Sequence, residues 1–227
     1  MFKNIINLFF PPACAGCHSF LISNENVICT QCRHNIPLTN HHLNPENEAF
    51  KKFYGRIPVK HTSALLYFHK KGIVQELIHN LKYKGQEEIG TVLGEWYAED
   101  LKNSEIIQSI DEIIPVPLHK RKLRERGYNQ VTNFGLALSK HLNIPYDSNL
   151  LVRNIYSKTQ SKKTLLSRSD GIDTIFDVVF TEKDHNKHFL LVDDVITTGS
   201  TLEACSHALL KIPGAKISIV CMAMAHS

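Results

Sequence analysis

The chain of 227 residues has no uninterrupted run of about 18 apolar residues, which excludes a membrane-spanning helix and membrane insertion through one. It has no Gly-x4-Gly-Lys-Ser/Thr loop, so it is not a nucleoside-triphosphate motor of the P-loop kind. Neither sign of charge dominates. With 26 basic against 22 acidic residues, binding to nucleic acid has to come from local patches rather than the field of the whole molecule. The N-terminal stretch to Cys14 superficially resembles a secretory leader, but its apolar run is short, is broken by Asn4 and Asn7, and meets Pro11-Pro12 before the cysteine. The expectation is a cytoplasmic protein. An apolar content of 43% is enough for one large domain, or a medium one with a small appendage.

Beyond residue 32 cysteine is scarce, with only Cys205 and Cys221, both at apolar positions suited to packing. Before it, Cys14-x-x-Cys17 and Cys29-x-x-Cys32 form two pairs separated by eleven residues. Two such pairs can converge four thiolates on Zn²⁺, and a bound metal stabilises a segment too short to build its own core. Redox-active pairs and structural disulfides compete with this reading. No thioredoxin-like βαβ pattern surrounds the cysteines, and a cytoplasmic setting disfavours disulfides. Residues 1–40 are therefore expected to form a four-cysteine zinc module. Residues 41–61, polar and irregular with His41-His42 and Pro45, read as a linker. Residues 62–227 read as the main domain.

The chemistry concentrates at Phe189-Leu190-Leu191-Val192-Asp193-Asp194-Val195-Ile196-Thr197-Thr198-Gly199-Ser200-Thr201. Four apolar residues predict a strand buried on both faces, two carboxylates stand near its end, and a turn of small residues opens a helix. Backbone N–H groups of such a turn, with the helix N-terminus behind them, make an anion cradle. Asp193 and Asp194 would repel a phosphate in the loop but can accept hydrogen bonds from ribose hydroxyls, directly or through a divalent cation. A sugar phosphate fits both halves.

Elsewhere, Ser63 to Phe68 reads as a strand. Ile73, Val74, Leu77, Ile78 and Leu81 share one helical face, and Ile89, Val92, Leu93, Trp96 and Tyr97 share another. Between them, Leu81-Lys82-Tyr83-Lys84-Gly85 is either a basic helix terminus or a phosphate contact. Glu112 to Leu118 predicts a buried strand that stops at prolines. Five basic residues follow within the seven positions Lys120 to Arg126, either a solvated charge run or a phosphate patch at a strand end. Val131, Phe134, Leu138 and Leu142 continue as an amphipathic helix. The polar stretch holding Lys158, Thr159, Gln160, Ser161, Lys162, Lys163 and Arg168 reads as a mobile lid or a disordered basic connection. Strands alternating with helices argue an α/β fold with a mostly parallel sheet.

The Asp-Asp and Thr-rich pattern resembles the phosphoribosyl pyrophosphate (PRPP) signature of type I phosphoribosyltransferases. The paired cysteines, Leu-Lys-Tyr-Lys-Gly, Pro-Val-Pro-Leu, Arg-Glu-Arg-Gly-Tyr-Asn-Gln and Thr159-Gln160-Ser161 occur in the order seen in the ComF family, phosphoribosyltransferase-like proteins associated with competence and DNA uptake. That resemblance spans nearly the whole chain. It implies a type I phosphoribosyltransferase-like sheet flanked by helices, with Asp193 and Asp194 on the ribose hydroxyls and Thr197, Thr198, Gly199, Ser200 and Thr201 around the 5′-phosphate. It also implies a pyrophosphate loop at Pro117, Leu118, His119 and Lys120, with Arg124 and Arg126 just beyond, and Mg²⁺ bound with PRPP. The family's Arg and Asn after the Gln have no full match here, since Arg168 is followed by Asp170-Gly171-Ile172-Asp173. Single-stranded DNA and DNA-uptake or helicase proteins are the implied partners. A non-catalytic module that keeps the PRPP fold and holds single-stranded DNA is the competing expectation.

Overall fold

The computed structural model describes residues 11–154 and 175–225. Within them the chain opens with the cysteine segment, whose first regular element is the short helix α1 (Thr30–Asn35), capped at its N-terminus by Cys29. A 3₁₀ turn (His41–Leu43) and α2 (Glu48–Lys51) follow. The stretch 41–61, expected as a linker, thus carries local structure, and it buries Ala49 and Phe53 completely. Its Asn47 caps α2 by accepting from Phe50 N at 3.0 Å, while its amide donates to Thr62 O at 2.8 Å, joining the segment to the first strand.

The main body runs β1 (Val59–Phe68), α3 (Ile73–Tyr83), α4 (Glu88–Leu101), α5 (Glu105–Gln108), β2 (Glu112–Pro115), α6 (Lys120–Arg126), α7 (Thr132–Leu142), β3 (Leu151–Arg153), β4 (Phe176–Val178), a 3₁₀ turn (Glu182–Asp184), β5 (His188–Ile196), α8 (Ser200–Leu209) and β6 (Lys216–Ala225). Four strands form one sheet in the order β1-β6-β5-β2, and every neighbouring pair is parallel. This is the expected α/β architecture with its carboxyl ends along one edge. β3 and β4 pair with each other, antiparallel, in a separate two-stranded ribbon. At three residues each they are too short to present a second continuous face to the main sheet. The polar stretch Lys158 to Arg168 lies outside the described residues.

Strand periodicity divides the core into two layers. On β5 and β6, Leu190, Val192, Val220 and Met222 face a cluster that includes α3, α4 and α7, whereas Phe189, Leu191, Ile219 and Cys221 face one that includes α8, Ala49 and Phe53. Both sheet faces are therefore covered, which is why these strands read as continuous apolar runs. Cys14, Cys29, Cys32 and Ile36 belong to the first cluster, so the cysteine segment shares its core with α3 rather than standing apart. In that layer α4 and α7 meet at Gly94, where an added Cβ would lie 2.7 Å from Phe134 O.

Candidate functional site

At the carboxyl end of β5 the chain turns from burial to chemistry. Asp194 is only 7% exposed, yet its Oδ2 is 2.9 Å from Lys82 Nζ and accepts from Gln130 Nε2 at 2.7 Å. Gln130 in turn accepts from Arg126 Nη1 at 2.6 Å, and Arg126 stacks 5.1 Å over the Tyr83 ring. A buried carboxylate thus has an ammonium partner and an amide donor, as a buried charge requires. Asp193 accepts from the Asp194 N–H at 2.8 Å, and Lys82 and Lys122 pull only weakly on its charge. Burial, then the neighbouring Asp194 charge, pushes its pKa up to about 8.

The turn after β5 is shaped by Gly199, whose φ of +80° lies in the left-handed region. The hydroxyls of Thr198 and Ser200 are 3.0 Å apart at the start of α8. The loop's carbonyls, which an anion would repel, are turned onto cations: Lys52 Nζ donates to Thr197 O at 2.9 Å and Arg56 Nη1 to Thr198 O at 3.0 Å. Arg56 also pairs with Glu203 on the first turn of α8, and Phe53 packs so close to Gly199 that a Cβ there would meet its ring at 2.8 Å. Sequence reasoning missed these three residues. Ala49, Phe53 and Ile57 recur at i, i+4 and i+8, an apolar period diluted by the surrounding polar residues.

Asp193, Asp194, Thr197 and Thr201 line one cavity of about 240 Å³, together with Pro117, Leu118, Lys82, Lys122, Arg126, Gln130 and Arg153. Of the expected pyrophosphate segment, Pro117, Leu118 and Arg126 reach this wall. His119 instead caps α6 by accepting from Arg121 N at 3.1 Å, and His119, Lys120 and Arg124 are exposed outside the cavity lining. Lys122, one helical turn before Arg126, takes the inward position; the i, i+4 spacing within the basic run was the available signal. Arg153 comes from the end of a three-residue strand and left no local signature.

The second candidate site is metal-capable. The Sγ atoms of Cys14, Cys17, Cys29 and Cys32 all lie within 4.8 Å of one another, with Cys17 and Cys29 at 3.6 Å. A tetrahedral Zn–S bond of about 2.3 Å would set the sulfurs about 3.8 Å apart, so the spacing suits that ion. Backbone N–H groups of Gly16 and Cys29 point at Cys14 Sγ at 3.4 and 3.2 Å, and that of Cys32 at Cys29 Sγ at 3.4 Å, which orients the sulfurs. Asn80 on α3 donates to Ala15 O at 2.8 Å, tying this cluster to the helix that carries Lys82.

A parallel sheet with an acid pair and a small-residue loop at one strand end, preceded by a four-cysteine group, defines a type I phosphoribosyltransferase-like protein. The phosphoribosyl transferase domain model matches residues 133–227. Competence protein F of Haemophilus influenzae is 27% identical over 220 residues, covering 93% of this chain and 96% of that one. DNA utilization protein YhgH of Shigella flexneri is 27% identical over 212 residues, covering 92% of this chain and 88% of its own. A purine phosphoribosyltransferase structure from Pyrococcus horikoshii is 22% identical, with a TM-score of 0.39 over 60% of this chain and 73% of that one. The chain is thus a homologue of competence protein F and YhgH over nearly its whole length, and of competence protein ComFC of Bacillus subtilis, at 33% identity, over 44% of it. Among the described residues no helix is long and apolar enough to cross a membrane.

Proposed function

We propose that this protein binds PRPP with Mg²⁺ at the carboxyl end of β5 and acts, through that site, in handling incoming DNA in the cytoplasm. The observation that carries the reading is the single cavity in which Asp193 and Asp194 stand beside Thr197 and Thr201 and opposite Lys122, Arg126 and Arg153. Asp193 and Asp194 hold the ribose hydroxyls, Thr197 to Thr201 receive the 5′-phosphate at the start of α8, and Lys122, Arg126 and Arg153 neutralise pyrophosphate. His119, Lys120 and Arg124, exposed at the rim, add long-range attraction for the same charge. Mg²⁺, when bound, would be held beside Asp193 and Asp194 and would supply charge neutralisation for the leaving pyrophosphate. The protein's own part is positioning and electrostatic stabilisation of a cationic ribose and its leaving group, with little proton transfer by side chains. Zn²⁺ in the Cys14, Cys17, Cys29 and Cys32 cluster is structural, since all four thiol positions are filled by protein.

The DNA role rests on the names of the relatives and on cations that the cavity does not use. A second reading, a non-catalytic single-stranded-DNA module with helicase or DNA-uptake partners, is favoured by one observation: Lys120, Arg121 and Arg124 face solvent on the same helix as Arg126, which stacks 5.1 Å over the exposed ring of Tyr83. Calorimetric titration of the metal-replete protein with PRPP and Mg²⁺, with and without single-stranded DNA, separates the two. Saturable PRPP binding that disappears in a folded Asp194→Ala variant supports the first. DNA binding without PRPP binding supports the second and overturns the first.

A further inference from the structure

Consecutive side chains after α6 take their partners from different walls of the cavity. Gly127, at a φ of +83°, ends the helix in the left-handed region and turns the chain toward α7. Tyr128 donates its hydroxyl to the backbone oxygen of Leu81, next to Lys82 on α3. Asn129 Nδ2 donates to Val116 O at 3.0 Å, beside Pro117 in the loop after β2. Gln130, only 7% exposed, reaches Asp194 on β5. Arg126 is thus the last residue of a helix whose exit is tied to α3, to the β2 loop and to β5.

Gln130 stands between unlike charges. Its Nε2 donates to Asp194 Oδ2 at 2.7 Å, and its Oε1 accepts from Arg126 Nη1 at 2.6 Å. Only this setting of the amide works, because the flipped group would turn N–H₂ toward the guanidinium and oxygen toward the carboxylate. A direct pair between Arg126 and Asp194 would satisfy both residues and spoil both for a ligand: the cation would be neutralised and the acid filled by a two-pronged contact. With the amide between them, Arg126 keeps its charge and rests on the Tyr83 ring at 5.1 Å. Lys82 and Gln130 both approach Oδ2 of Asp194, which leaves its Oδ1 to a sugar hydroxyl.

We propose that Gln130 is a positioning residue that holds Arg126 toward pyrophosphate and away from the acid that takes the ribose. This role rests on the PRPP reading of the cavity. It acts through Arg126 and not by contact with the reacting atoms. The charged groups around the amide are Lys82 from α3, Lys122 and Arg126 from α6, Arg153 from β3, and Asp193 and Asp194 from β5. Gln130→Met keeps the length of the side chain and removes both hydrogen bonds, so the guanidinium is released to swing onto Asp194. Gln130→Glu sets a carboxylate against Arg126 and beside Asp194. When protonated, that carboxyl again donates to Asp194 and accepts from Arg126, so its low-pH form restores the original pattern.

The test uses the metal-replete full chain with Mg²⁺ and measures calorimetric affinity for PRPP, pyrophosphate and ribose 5-phosphate, after thermal unfolding has shown each variant to be folded. In Gln130→Met, affinity for PRPP and pyrophosphate should fall by about ten-fold or more, and for ribose 5-phosphate by no more than about three-fold. Arg126→Ala, at a half-buried position, should weaken the same two ligands, and adding Gln130→Met to it should cost less than about two-fold further. In Gln130→Glu, PRPP affinity relative to the unmodified protein should recover as pH falls from about 8 to about 5.5, which lost packing alone would not produce. Taking the ratio at each pH cancels titration of the ligand, and this variant carries the test if Gln130→Met does not fold. The proposal is overturned if folded Gln130→Met keeps its pyrophosphate affinity, if its effect multiplies with that of Arg126→Ala, or if the Gln130→Glu ratio stays flat with pH. Failure of the unmodified protein to bind PRPP overturns the reading of the cavity, and the role of Gln130 falls with it.

Discussion

Two N-terminal pieces reach the end of β5 from opposite faces of the sheet, and they do different things there. On one face the cysteine cluster shares a core with α3, and the last turn of α3 places Lys82 on Asp194. On the other, the segment around α2 presses Phe53 under Gly199 and turns Lys52 and Arg56 onto the loop carbonyls. The first sets the charge of the acids, and the second sets the shape of the phosphate loop. Charge at the site can therefore be altered with the loop left intact, and the loop can be altered with the acids left intact.

The largest effect is expected from breaking the cysteine side. Removing the metal takes away the tie between the four cysteines, and Cys29→Ala takes away both a thiol of that cluster and the cap of α1; either leaves apolar residues shared with α3 without their support. Loss of a structural metal belongs among the rare changes of about 4 kcal/mol or more. Limited proteolysis should show cleavage within residues 11–40 after chelation, together with weaker protection of α3 and reduced PRPP affinity. If α3 keeps its full protection in the metal-free protein, the cysteine side does not support the acid pair.

The loop side should give an intermediate effect. Gly199→Ala forces a side chain into a left-handed conformation and against the Phe53 ring, a combined cost of about 2 to 3 kcal/mol. Thermal unfolding should register this loss, and PRPP affinity should fall because the Thr198 and Ser200 hydroxyls shift. Combining the change with Phe53→Leu, which relieves the contact but not the backbone strain, should recover part of the stability. No recovery would mean that the ring does not shape the loop.

These two supports differ in how far the sequence revealed them. The buried strand, the acid pair, the small-residue loop and the cysteine pairs are all local patterns: continuous apolar residues, a fixed spacing, a change of residue type at a boundary. Each was legible because neighbours in sequence carry the whole signal. Lys82 and Gln130 meet at Asp194 only through packing of α3 and α7 on the sheet, and Arg56 reaches Thr198 across a separation of 142 residues. Sequence spacing holds no trace of such contacts. The basic run after β2 falls between these cases: its charge was visible, but which of its side chains face inward depends on α6, which turns Lys122 and Arg126 to the cavity and leaves Lys120 and Arg124 outside.

The smallest expected effect is also the one that isolates charge from shape. Asp193 has its folded pKa raised to about 8 from an ordinary 3.8, chiefly by burial and next by Asp194. The folded state therefore holds a proton that the unfolded chain releases, and this contribution to stability is present at low pH and declines as pH rises through about 8. Asp193→Asn keeps the shape and removes the titration. Its stability relative to the unmodified protein should climb between pH 6 and pH 8 and level off above, and comparing the two proteins cancels the histidines and cysteines that titrate in both. Mg²⁺ with PRPP should stabilise the unmodified protein most in the same range, because bound cations offset the charge that burial disfavours, and should do little for Asp193→Asn. A flat difference between the two proteins across that range would mean that Asp193 is already ionised in the free protein and that Lys82 serves both acids, not Asp194 alone.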